Sequence, residues 1–200
     1  MNRPRLRGLS LIELMVTITV LGVMLMLAIP GIGNWIQNSR VRTVSEEIQN
    51  GLRLAQSEAV NRNRQVAFVR TAAAPALNAA PSATGTNWYI QVLPLLSEVG
   101  NTTFDATAYI QGGAFSNQSG ASVGGPALVC FNSVGRVVSN NDTLLGADCV
   151  APAAPSNRSD FTVALASNSN RPMNVELFLG GRVRLCDVSA STPPNACTTP

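Results

Sequence analysis

Histidine and lysine are both missing from this chain of 200 residues. Without histidine, neither a Ser-His-Asp nor a Cys-His arrangement can be assembled, and the commonest metal ligand is gone. Without lysine, all 14 basic residues are arginines, so every cation offers a planar fork of donors. Charged residues make up only 12 % against 46 % hydrophobic ones, which leaves Ser, Thr, Asn and Gln to supply the surface. Such a surface suits an exported protein packed among copies of itself, and the length fits one domain plus an appendage. No glycine-rich loop leads into a helix as a phosphate cradle would. Glu46 and Glu47 are adjacent, so on a helix they point apart and cannot share a substrate. The reading is a non-enzyme with no cofactor and no metal.

The net charge of +3 is not spread evenly. Arg3, Arg5 and Arg7 crowd the first eight residues, and beyond them 11 arginines meet 11 acidic residues. Bulk charge therefore selects no partner. The four cysteines, Cys130, Cys149, Cys186 and Cys197, show no C-x-x-C spacing. A zinc site would need all four thiolates from irregular positions, so two disulfides in an oxidising compartment are the simpler expectation. Neighbour pairing, Cys130 with Cys149 and Cys186 with Cys197, is expected, although four cysteines allow three pairings.

The first eight residues, MNRPRLRG, are short, basic and end in Gly8. An apolar run over residues 9–30 follows, about 33 Å long as a helix and enough to cross a bilayer core. The arginines ahead of it would keep the amino end cytoplasmic. Glu13 is foreign to that run. A carboxylate there costs about 2.5–3.5 kcal/mol on insertion scales, so it needs a partner. Cutting after Gly8 would supply one: the new α-amino group of Leu9, one helical turn away or on a neighbouring subunit.

Gly8 followed by Leu9-Ser10-Leu11-Ile12-Glu13 resembles the amino-terminal signal of type IV prepilins and pseudopilins. The resemblance implies that a prepilin peptidase cuts after Gly8, that Leu9 becomes N-methylated, and that Glu13 serves filament assembly. Leu9 departs from the usual Phe at that position. An ordinary secretory signal would have a shorter apolar core and a small-x-small cleavage site, and an ordinary anchor would have no need of Glu13.

Past Pro30-Gly31-Ile32-Gly33, Val41, Val44, Ile48, Leu52, Ala55 and Ala59 recur every three or four residues. This is an amphipathic helical stripe that must be buried against something. Asn61-Arg62-Asn63-Arg64 reads as its solvated end, where basic groups suit the helix dipole. Downstream, strands are expected over residues 65–70, 88–93, 127–131, 136–139, 161–166, 174–179 and 182–187. Residues 71–86 and 112–125, rich in Ala and Pro or in Gly and Ser, read as loops. The fold class is α+β: one long helix, membrane-spanning in its first half and amphipathic in its second, on an antiparallel β-sheet domain. The expected division is a leader at 1–8, a transmembrane and filament-core helix at 9–31, its amphipathic continuation at 32–62 and a periplasmic β-rich head at 63–200.

The stretches LRLAQSEAVNRNRQVAF (52–68), CFNSVGRVV (130–138) and GGRVRLCD (180–187) are similar to the FimT/FimU and GspH group of minor pilins and pseudopilins. This implies a low-copy subunit that initiates or caps a filament, with other pilins as partners. It begins in the inner membrane with its carboxy-terminal domain in the periplasm and ends in a pilus at the cell surface.

Gly181-Arg182-Val183-Arg184 is the sharpest binding candidate. On a strand, residues i and i+2 share a face, so both guanidinium groups project together from origins about 6.6 Å apart, near the spacing of phosphates along one DNA strand. The motif resembles the GRxR element of FimT-type minor pilins. The resemblance implies that Gly181, Arg182 and Arg184 bind double-stranded DNA during natural transformation. Arg136, in Gly135-Arg136-Val137-Val138, is a candidate addition. Two outward arginines on an edge strand also discourage edge pairing, so solubility is the competing account. Three functions stay open: a minor type IV pilin, a minor pseudopilin of type II secretion, and an unprocessed membrane-anchored binding module.

Overall fold

A computed structural model describes residues 10–115, 120–165, 171–192 and 194–197; within its long helix, residues 27–32 and 34 are described by backbone alone. The chain divides into two compact units, Met1–Gln37 and Asn38–Pro200. Helix α1, Leu11–Arg62, contributes to both and includes Pro30. In the first unit the side chains from Leu11 to Met26 are exposed on every face. Among the described residues no helix is long and apolar enough to cross a membrane. The apolar run of the sequence begins and ends in residues whose side chains lie outside that description.

The second unit is built on the buried face of α1. Val41, Val44, Ile48, Leu52, Ala55 and Ala59 are fully buried, as the helical period requires. Gly51 lies on this face because a Cβ there would come within 2.7 Å of the Phe68 ring. The helix stops in a Schellman motif: Asn63 takes the left-handed conformation (φ 51°), Asn63 N donates to Val60 O and Arg64 N to Ala59 O.

Among the described residues nine strands follow, in two antiparallel sheets. Strands β1 (Val66–Thr71), β2 (Asn87–Val92), β3 (Tyr109–Ala114), β5 (Leu128–Phe131) and β6 (Val137–Val138) form a sheet in the order β3-β2-β1-β5-β6. Strands β4 (Ala121–Val123), β7 (Arg158–Leu165), β8 (Met173–Phe178) and β9 (Val183–Asp187) form the other, in the order β4-β7-β8-β9. One core joins the helix to both: Val66, Phe68, Ile90 and Phe131 from the first sheet meet Phe161, Val175 and Leu177 from the second.

The first sheet carries a smaller core on its opposite face, where Leu145 and Cys149 cover Ala67, Val69, Tyr89, Leu128 and Cys130. A short helix α2 (Thr102–Ala108), its first turn capped by the Asn101 side chain, precedes β3. The loop expected over 112–125 is corrected by β3 and β4, which occupy its two ends. Glycine in β3 reflects close approach: a Cβ on Gly112 would meet Pro75 at 2.6 Å, and one on Gly113 would meet Trp88 Nε1 at 3.0 Å.

Candidate functional site

The residues singled out from sequence fall in three places. At the amino end, Gly8 and Leu9 lie outside the described residues. Glu13 sits in the first turn of α1 and is exposed among Leu11, Ile12, Leu14 and Met15, which are also exposed. A carboxylate in the first turn suits the helix dipole. The apolar surroundings in a monomer give it no counter-ion among the described residues.

The second place is the β8–β9 hairpin. Gly181 adopts φ 86°, which a side chain disfavours. A Cβ there would also overlap the Gly135 carbonyl and Gln56 Nε2. Gln56 Nε2 donates to that same carbonyl at 2.8 Å, and Val137 N donates to Leu179 O at 3.1 Å. The hairpin tip, the β5–β6 turn and α1 therefore meet at one junction, which glycines 135 and 181 make possible.

Arg182 and Arg184 part company there. Arg182 is exposed, its guanidinium 4.2 Å above the Phe178 ring centroid. Arg184, opposite Glu176 in the sheet, donates to Pro194 O at 3.1 Å and to Ala196 O, and approaches Glu176 at 4.0 Å. The spacing rule puts both arginines on one face of the sheet, but the two guanidinium groups are held differently: the carboxy-terminal tail lies over Arg184 and engages its Nη2, while Arg182 lies over Phe178.

The cysteines form the third place. Cys130 bonds Cys149, and Cys186 bonds Cys197. The second bridge holds the tail across β9, helped by Asp187 N donating to Asn195 O at 2.8 Å. Beneath it Glu176 is fully buried, 3.1 Å from Arg158 Nη1, and Asp160 completes the cluster 3.2 Å from Arg158 Nε. Glu176, Cys186 and Cys197 lie close enough to resemble a metal-ligand group, but the two sulfurs are bonded to each other and so offer no thiolate.

Sequence reasoning missed two arginines that hold the head together. Arg70, at the end of β1, is fully buried and has no carboxylate within ion-pair distance among the described residues. Its guanidinium donates to Gly125 O (3.2 Å), Gly85 O (3.3 Å) and Val123 O (2.5 Å), and burial pushes its pKa down to about 10. Arg64 corrects the expected solvated helix end: it grips Glu98 through two bonds of 2.6 and 3.0 Å and lies 5.6 Å over the Phe104 ring. Hydrogen bonding from Arg64, with help from Leu95 N, pushes the Glu98 carboxyl down to about 2.

A helix with an exposed apolar start and a single early carboxylate, whose later half seats two antiparallel sheets, defines a pilin-like subunit. A family model for the type II transport protein GspH matches residues 44–181, and one for the prokaryotic N-terminal methylation motif matches residues 3–29. The chain belongs to the GspH family and is a pilin-like subunit of the FimT/FimU–GspH type. Among solved structures, the type IV minor pilin FimU of Pseudomonas aeruginosa shares the fold at a TM-score of 0.53 and 15 % identity, over 82 % of this chain and 99 % of that one. The minor pseudopilin EpsH from the Type 2 Secretion System of Vibrio cholerae aligns at a TM-score of 0.46 and 10 % identity, over 76 % of this chain and 99 % of that one. A comparison with curated proteins finds no match.

Proposed function

We propose that this chain is a minor type IV pilin, processed after Gly8 and methylated at Leu9. It passes through the inner membrane by its apolar helix with the head in the periplasm, and then enters a pilus at the cell surface. There it helps to initiate or cap the filament and binds double-stranded DNA through the β8–β9 hairpin. The observation that carries the reading is Glu13, a lone carboxylate in an exposed apolar helix that also falls in the matched methylation motif. Its counter-ion is the amino group released by processing, in the same subunit or in a neighbour. For DNA, the support is narrower: Arg182 is exposed next to the Gly181 turn, in a motif similar to that of DNA-binding minor pilins.

A second reading, a minor pseudopilin of a type II secretion system, is favoured by the GspH model, which covers most of the head. Both readings need the same processing. Native protein should begin at N-methylated Leu9 by mass analysis, and Glu13→Val should insert normally yet be lost from sheared filaments. Protein beginning at Met1, or normal incorporation of Glu13→Val, would overturn the filament reading. Presence of the chain in sheared surface pili separates the pilin from the pseudopilin.

A further inference from the structure

The two disulfides stand in different settings. Cys130 and Cys149 are both fully buried, in the small core over the first sheet. Cys186 is buried too, but Cys197 is half-exposed, so a thiol can reach its sulfur. Their neighbours also differ. Among the described residues no carboxylate or third cysteine gathers at the first bridge. At the second, a Glu176 carboxylate oxygen and both sulfurs lie within 4.8 Å of one another.

Opening the second bridge would not scatter these atoms. Asp187 N donates to Asn195 O at 2.8 Å and Ala196 N to Thr192 O at 3.3 Å. The Arg184 guanidinium donates to Pro194 O and Ala196 O, so hydrogen bonds alone keep the tail turned back over β9. Arg158 Nη1 lies 3.1 Å from Glu176 Oε1 and Arg158 Nε 3.2 Å from Asp160, which fixes the carboxylate's orientation. Charge fits as well. With the bridge closed, the carboxylates of Asp160 and Glu176 face the guanidinium groups of Arg158 and Arg184. Two thiolates would add two negative charges, which one divalent cation offsets.

We propose that Cys186, Cys197 and Glu176 form a zinc site once the Cys186–Cys197 bridge is reduced, the metal then replacing the covalent clasp of the tail. A thiolate of a small dithiol attacks Cys197 Sγ; the bond between the sulfurs breaks, and its electron pair leaves on Cys186 Sγ. The reagent's second thiolate displaces Cys197 Sγ, and the reagent departs as a disulfide. Each cysteine sulfur takes up a proton that the reagent gave up. Zinc binding returns those two protons to solvent. Tetrahedral zinc holds sulfur and oxygen ligands about 3.5–3.8 Å apart, inside the 4.8 Å that already contains these atoms. Two sulfurs with one carboxylate suit zinc, and water takes the fourth position.

The test uses the full chain in neutral detergent. It is reduced with a phosphine, because a dithiol would itself chelate zinc, and the phosphine is then removed under argon. Alkylation should find thiols at Cys186 and Cys197 while Cys130–Cys149 stays closed. Against a chromophoric chelator, the reduced chain should take up one zinc and the oxidised chain none. X-ray absorption of the bound zinc should show two sulfur neighbours at about 2.3 Å and oxygen at about 2.0–2.2 Å. Cobalt in its place should give a thiolate charge-transfer band that Cys186→Ser/Cys197→Ser lacks. Glu176→Gln should weaken zinc binding by more than about tenfold. Zinc should also restore the protease resistance of the reduced tail. No uptake by the reduced chain, or four sulfur neighbours around the metal, would overturn the site. So would a Glu176→Gln variant that binds zinc as the unaltered chain does. The absorption spectrum is read on the unaltered chain, so it decides the matter even where a variant does not fold.

Discussion

Each sheet is covered, on the face opposite the main core, by a segment that a disulfide closes, yet the two covers work on different chemistry. Over the first sheet, Leu145 and Cys149 bury Ala67, Val69, Tyr89 and Leu128 in an ordinary apolar contact. Over the second, the tail closed by Cys186–Cys197 buries Glu176 between Arg158 and Arg184. The bridges close loops of similar length, spanning 19 and 11 residues, so each contributes on the order of 3 kcal/mol by the loop-entropy account. What separates the covers is what lies beneath. Apolar contact is tolerant of small shifts, whereas a buried carboxylate demands its cations in place. The second cover is therefore the more brittle.

The largest expected effect tests that brittleness. Glu176→Ala removes the anion and leaves Arg184 facing only carbonyls, so it should cost about 3–5 kcal/mol and open the tail to protease. Leu145→Ala, the matching change in the other cover, should cost about 2–3 kcal/mol by cavity formation and leave the tail protected. Urea midpoints and limited proteolysis of the two variants decide the matter. A smaller loss for Glu176→Ala than for Leu145→Ala would mean that the tail is held by its disulfide and backbone bonds, with the charges incidental.

The same contrast explains what could be read from the chain alone. The apolar stripe from Val41 to Ala59 and the strand cores follow from periodicity, because burial on one side of a helix or strand writes itself at intervals of 3.6 or 2. Both cysteine pairs join neighbours in sequence, the simplest expectation. For Arg184, strand alternation gives the face but not what lies upon it: Pro194 and Ala196, in the tail held by Cys197, accept from its guanidinium. Arg70 was invisible because it occupies a polar position at a strand end, and its carbonyl partners come from the turn before β2 and from the end of β4 and the residues just after it. Glycine misled in β3, where it makes room for Pro75 and Trp88 instead of breaking the strand. The junction of Gln56, Gly135 and Gly181 carries no sequence signature, since it depends on two turns and a helix meeting.

An ion pair at the end of α1 extends the comparison to a more accessible setting. Arg64 and Glu98 each keep 25 % of their side-chain surface exposed, unlike the sealed Glu176. Bonding to Arg64 draws the Glu98 carboxyl from 4.5 down to about 2. A depressed carboxylate stabilises the fold fully above its unfolded value, and that contribution disappears as pH falls through the folded one. Wild-type stability should thus decline from about pH 4.5 toward about pH 2 more steeply than that of Glu98→Gln, which lacks this proton uptake. The difference should be the smallest of the three, because water and salt screen an exposed pair. Urea midpoints of the two proteins over that window provide the measurement. Parallel curves would show that the grip of Arg64 on Glu98 does not persist in solution, and that only the buried cluster couples charge to the fold.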